Sequence, residues 1–191
     1  QNRASVAMVS ALEKVLEKEE AITRAGQWLG LTQVVIERTT AAINVQDPAA
    51  NKMLTARAAA NSAAITKVQE EVKQYLSTDE EKQAYEHVGK MRTEALTLLK
   101  RVPEMKAAGD TEAMLRFTEQ EFTPAANKLI ASLEAFIKLQ SQARDEAVAH
   151  MHESRKLAAI FGLIAAAFLL AVAVGLTLIL IRSIVHPLQQ V

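Results

Sequence analysis

The run QNRASVAMVSALEKVLEKEEAITRAGQWLGLTQVVIERTTAAINVQDP, from Gln1 to Pro48, decides the fold. Nothing in it before Pro48 breaks a helix, and Met8, Val15, Ile22, Leu29, Ile36 and Ile43 recur every seven residues without interruption. Such a repeat keeps one seam of a slightly underwound helix against its neighbours in left-handed bundle geometry. The spacing therefore predicts one long helix over 1–44, packed in a bundle. Asp47 is a natural N-cap and Pro48 suits the first helical position, so a second helix is expected to start there.

Working outward, Leu54, Ala58, Asn61, Ile65, Val68, Val72 and Tyr75 form the seam of that second helix, which is expected to stop near Ser77. Ser77-Thr-Asp-Glu80 reads as the capping box of a third helix. Its alternation of Tyr85, Val88, Arg92, Ala95, Leu99 and Val102 is interrupted by one charge. Ala107-Ala-Gly109-Asp110 supplies a stop and then a cap. The fourth helix is expected to carry Leu115, Phe122, Leu129, Leu133, Phe136, Ala143 and Ala147 inward. Pro103 and Pro124 should kink or locally open their helices, because proline lacks the N–H and crowds the preceding turn. Short connections make neighbouring helices antiparallel. The expected fold is all-α: an up-down-up-down antiparallel four-helix bundle over 1–156, with its 44–48 and 107–110 turns at one end.

Residues 157–181, LAAIFGLIAAAFLLAVAVGLTLILI, hold no charge and a single hydroxyl, Thr177. At about 1.5 Å per residue the run is longer than the roughly 30 Å hydrocarbon slab of a bilayer. A transmembrane helix is expected, continuous with the fourth bundle helix. Arg155 and Lys156 precede it, and Arg182 and His186 follow it. Flanking charge therefore does not orient it. The polar opening QNRAS is no signal peptide. The first helix should then begin at the membrane, and an earlier span before Gln1 would complete the geometry.

Composition narrows the function. Gly and Pro together are 10 of 191 residues, roughly 5% against a usual value of about 12%, too little turn chemistry for a β sandwich or barrel. The absence of Cys removes disulfides, thiolate nucleophiles and Cys-based metal sites. No basic patch with interleaved aromatics points to nucleic acid. The histidines at 87, 150, 152 and 186 complete no Glu-x-x-His pair of the kind a di-iron bundle needs. With no phosphate loop or acid–base cluster, no catalytic constellation is found. The reading is a non-enzyme without a cofactor or a metal.

Arg182-Ser183-Ile184-Val185-His186-Pro187-Leu188, directly after the apolar run, resembles the RSI-x-x-PL opening of a HAMP signal-relay domain. Further resemblance lies in Gly26-Gln-Trp28, Glu37-Arg38-Thr39, Ala108-Gly109-Asp110 and Phe122-Thr-Pro124-Ala125. Together these make the chain similar to the sensory half of a bacterial methyl-accepting chemotaxis receptor. The resemblance implies a homodimer in the inner membrane, a periplasmic ligand-binding bundle over 1–156, the second span at 157–181 and the start of HAMP at 182–191. It also implies cytoplasmic signalling partners engaged through a further C-terminal domain. The same arrangement occurs in sensor histidine kinases, and some such bundles dock a periplasmic binding protein in place of a small molecule.

Counting from the turns at about 1.5 Å per residue brings Arg92 within a turn or two of Thr32, Asn61 and Phe122 with Thr123, so that a polar layer crosses an Ala and Leu core. A guanidinium on a bundle seam is costly unless its charge is met, and its planar fork suits a carboxylate. A small carboxylate between Arg92, Asn61 and Thr32 would meet it. So would Glu119 or Glu121, or escape of the head to solvent along its stem. Arg38 lies about 200° around the helix from Ile36, so it faces either solvent or a second subunit. By resemblance to receptors that bind ligand at the dimer interface, it is a second candidate. Thr39 lies on the inner side of the same helix, and Tyr85 shares a face with Arg92 one heptad away, as either core or site.

Overall fold

The computed structural model describes residues 2–188, and side-chain surroundings for 6–174 apart from 154 and 158. The chain forms α1 (Asn2–Asn44), α2 (Pro48–Lys73), α3 (Asp79–Leu99), α4 (Val102–Ala108), α5 (Thr111–Phe117), a π-helical turn (Thr118–Phe122) and α6 (Thr123–Leu188). Residues 14–146 make one compact unit, and 1–13 with 147–191 make another.

Side-chain pairs inside the 14–146 unit give the topology directly. From Tyr85 to Arg92 along α3, the partners on α2 run backwards, from Gln69 to Ser62. On α1, Lys18 meets Ser77 while the carbonyl of Ala42 meets Asn51, so α1 and α2 are antiparallel. Glu19 meets Arg144 and Asn44 meets Thr118, which runs the fourth helical member of the bundle antiparallel to α1. The result is the expected antiparallel four-helix bundle, its fourth member built from α5, the π turn and α6.

The turns form for the local reasons foreseen, with one shift of register. The Asp47 carboxylate accepts from Ala50 N–H at 2.9 Å, and Pro48 fills the first turn. Gly109 adopts φ 70°, the left-handed cap position that glycine takes without strain. Asp110 then caps α5 through Ala113 N–H. At α3 the capping box is Thr78 with Glu81, one residue later than Ser77 with Glu80. Ser77 instead donates its N–H and hydroxyl to Glu81, because Glu81 is drawn inward by Lys18.

Both prolines act as expected. α3 stops at Leu99, and Pro103 sits in the first turn of α4. Just before Pro124 the helix widens: Thr123 N–H bonds Thr118 O, five residues back. An ordinary turn would drive the Pro124 ring into the carbonyl of Gln120, and the π turn opens that gap. The extra residue also rotates the helix, so that Met114, Phe117 and Thr118 are buried while Leu115 is 50% exposed. Leu115 is therefore not on the inner face.

The buried stripe of α1 is likewise displaced by one position. Lys18, Ala21, Ala25, Trp28, Thr32 and Ala42 are buried, whereas Ile22, Leu29 and Ile36 are half-buried flanks; of the predicted seam, Ile43 alone is buried as expected. An apolar heptad marks the side that faces the bundle, but not which adjacent position is central. Here small alanines let neighbouring helices close around Trp28. Its ring packs edge-on against Tyr85 and Phe136, with centroids 5.7 and 6.4 Å away. That cluster includes Ile65, Val72, Val88, Leu129 and Leu133. A second cluster joins Ile43, Met114, Phe117 and Phe122 near the turns.

In the other unit the surface of the 157–174 stretch is apolar on every side, with Phe161, Leu163, Phe168, Leu169 and Leu170 each more than half exposed. It belongs to the one helix, among the described residues, that is long and apolar enough to cross a membrane. A bilayer is the solvent that suits such a surface. The side chains of 175–191, which include the whole HAMP-like motif, lie outside those described, and 189–191 lie outside the described residues altogether.

Candidate functional site

Two features in the turn-bearing half of the bundle have the chemistry of a site. The first is a polar run between α2 and α3. The Arg92 guanidinium, half-buried, donates to Gln69 Oε1 at 2.8 Å, to Ser62 O and Oγ at 3.1 and 3.2 Å, and to Thr66 Oγ1 at 3.1 Å. Every acceptor is neutral, and no carboxylate pairs with Arg92 among the described residues. Burial lowers the Arg92 pKa, with the nearby Tyr85 phenol acting the other way. Tyr85 donates its hydroxyl to Gln69 O at 3.1 Å. Burial and the charge of Glu70 raise its pKa against the lowering effects of Gln69 and Arg92.

The second feature is a cleft of about 420 Å³ among α1, α2, α3 and α4. Its floor is apolar: Val35, Ala42, Ile43, Ala58, Leu99 and Val102. Thr55, Ala59, Leu96 and Pro103, all exposed, surround the mouth. Thr39 lies in the α1 wall, Ser62 stands toward Arg92, and Asn51 with Lys106 stand toward the turns. Lys106 Nζ donates to Ala42 O at 2.5 Å and Val45 O at 3.1 Å, the open carbonyls at the end of α1. Asn51 Nδ2 shares Ala42 O at 2.6 Å. Burial pushes the Lys106 pKa down.

The sequence candidates do not converge on one point. Arg92 and Tyr85 meet at Gln69 of α2. Thr32 is buried in the α1 stripe, two helical turns before Thr39. Asn61 is half-buried beside Ser62 in the chain, and Arg38 is half-buried next to Thr39. Phe122 belongs to the second cluster, whose Ile43 is also cleft floor. Of the two glutamates weighed as partners for Arg92, Glu121 pairs with Arg101 instead. The arginine takes none of the three courses considered: it stays half-buried and meets neutral acceptors on α2, Gln69, Ser62 and Thr66, in place of a carboxylate or solvent.

Lys106, Asn51 and Gln69 carry much of this chemistry and were not among the candidates. Ser62, Thr66 and Gln69 follow 4-3 spacing, a polar stripe beside the α2 seam that was legible in principle. Lys106 had no such signal, because it enters the cleft only through the break between α3 and α4.

A helix bundle with a cleft thus shares its chain with a helix apolar and long enough to cross a membrane. Residues 31–154 match the family described as a four helix bundle sensory module for signal transduction, and the chain belongs to that family. It is the sensory module found in chemoreceptors. No curated protein gives a significant match to the chain.

Proposed function

We propose that the chain is the sensing and membrane-crossing part of a dimeric inner-membrane chemoreceptor. The bundle stands in the periplasm, binds a small organic acid and passes a displacement through the membrane helix to a HAMP domain that begins at 182. The observation that carries this reading is α6 itself. One helix, Thr123–Leu188, supplies buried bundle residues such as Leu133 and Phe136 and also the apolar 157–174 segment. A ligand that favours one packing of the bundle thereby acts on the element that enters the membrane, by no more than its differential affinity for the two packings. Packed helices shift by about 1–2 Å in such transitions.

Trp28 is the single tryptophan and is fully buried, so its emission reports unfolding. In nanodisc-held protein, a panel of carboxylic and amino acids should contain a compound that raises the melting temperature, and does so further as its concentration rises above its Kd. Repeating the hit in Arg92→Ala and Arg38→Ala assigns it within the bundle or at a subunit interface. Folded, dimeric protein that responds to no small molecule, but does respond to a periplasmic protein fraction, would replace direct sensing by protein docking.

A further inference from the structure

The cleft is built for one kind of acid. We propose that it binds a monocarboxylic acid with an apolar body, an aromatic ring or branched chain, whose carboxylate is held by Lys106. This rests on the sensor reading above and names the ligand class and the place.

Lys106 has three N–H donors and spends two on Ala42 O and Val45 O. No carboxylate pairs with it among the described residues. It is a half-buried cation whose companions are helix-end carbonyls, and burial already disfavours its charge. An anion on the third N–H offsets that cost with a charge-assisted hydrogen bond. Arg92, at the other end, already has four acceptors around its guanidinium and is the poorer anchor.

The rest of the ligand is selected by the floor. Val35, Ala58, Leu99 and Val102 offer hydrocarbon, and the volume falls in the range of small-molecule sites, about 300–1,000 Å³. A second carboxylate, as in succinate or citrate, would lie against that hydrocarbon without a partner, which is costly. A ring or a branched chain gains from the same contact.

Occupancy has a route to the membrane helix. Ile43 is both cleft floor and a member of the cluster with Met114, Phe117 and Phe122. Leu99 and Val102 line the cleft and pack on that cluster as well. The wall that an acid presses from one side is thus pressed from the other by residues in and just before the π turn, Phe122 within it and Met114 and Phe117 ahead of it.

The test uses the full chain in nanodiscs, with benzoate, phenylacetate and 4-methylpentanoate as probes, succinate and citrate as comparators, and Trp28 emission as the melting signal. Each variant is referred to its own ligand-free melt, so loss of stability is separated from loss of binding. The expected result is stabilisation by at least one probe and by neither comparator. Affinity should fall at least tenfold in Lys106→Gln, persist in Lys106→Arg, and vanish in Ala59→Leu, which fills the mouth from an exposed position. A probe that binds equally well to Lys106→Gln and Ala59→Leu overturns the site. Succinate or citrate binding that ignores Lys106 but is lost in Arg92→Ala or Arg38→Ala overturns it too, while leaving the sensor reading intact. Folded protein that responds to none of these five acids overturns the site, and the sensor reading falls with it only if the wider panel of carboxylic and amino acids is silent too.

Discussion

Lys18 Nζ stands 2.6 Å from Glu81 Oε1 with both side chains almost wholly out of water. The pair ties α1 to the cap of α3. Lys18 also donates to Ser77 Oγ at 2.9 Å and Tyr75 O at 3.3 Å. Glu81 Oε2 accepts from the N–H groups of Ser77 and Thr78. With the partners nearly saturated, the buried charges are compensated. Burial pushes the Glu81 pKa up, but the Lys18 hydrogen bond, the Ser77 N–H, the Lys18 charge and the Thr78 N–H together pull it below the ordinary value.

Breaking that pair from one side leaves a buried charge behind. Lys18→Met is expected to destabilise the bundle by about 3–5 kcal/mol, and Lys18→Met with Glu81→Met to recover much of the loss. Urea unfolding of the two variants beside the parent measures this. Equal stability of the single and double variants would contradict it.

The same carboxylate sets an acid limit. Between its ordinary pKa and its depressed native value, the unfolded chain holds a proton that the native bundle does not, so stability rises with pH across that window. The contribution is complete above the ordinary carboxylate range and is lost as pH falls through the native value. Glu81→Gln should flatten the acid side of a plot of stability against pH. An unchanged acid slope would assign it to other groups.

Gln140 is fully buried on α6, and neither Oε1 nor Nε2 has a protein hydrogen-bond partner. Replacing it with leucine, of similar volume, removes that desolvation cost. Gln140→Leu is expected to stabilise the bundle by about 1–3 kcal/mol, read as a higher urea midpoint at unchanged slope. A loss of stability would mean that the amide is satisfied in solution.

The π turn holds one residue more than an α-helix would over the same path, with the flanking buried stripes in phase on either side. Deleting exposed Gln120 together with Pro124→Ala should therefore leave the melting temperature close to that of the parent. Deleting Gln120 alone keeps the proline ring against an ordinary turn and should cost about 3 kcal/mol. Equal melting of the two variants would sink the account of Pro124.

If the signal travels along α6, its stiffness between bundle and membrane matters. In a chimaera carrying a chemoreceptor signalling domain, Met151→Gly with His152→Gly is expected to abolish output and leave ligand affinity unchanged. Preserved output would show that coupling does not need a continuous helix there.

Much of this architecture was legible because its signals are local or periodic. Asp47-Pro48 and Gly109-Asp110 announce turns through the φ values and hydrogen bonds their own residues favour. The seams of α2 and α3 show their period directly, and 157–181 advertises its solvent by composition. The phase of α1 was not legible: Lys18 sits in the buried stripe only because Glu81, 63 residues on, supplies its counter-charge. Leu115 escaped for a similar reason, since Pro124 acts backwards on the turn before it.

The candidate site divides along the same line. Periodicity and turn chemistry alone determined the bundle, its antiparallel order and the presence of a seam arginine in α3, and composition alone marked a helix apolar and long enough to cross a membrane. Tertiary structure decided that Arg92 turns to Gln69 and Ser62, and that Lys106, carried by the α3–α4 break, faces an apolar cleft beside the end of α1. Sequence spacing reports which residues of one helix share a face. Which cation meets an open carbonyl, and what hydrocarbon lies beside it, depends on the packing of segments dozens of residues apart.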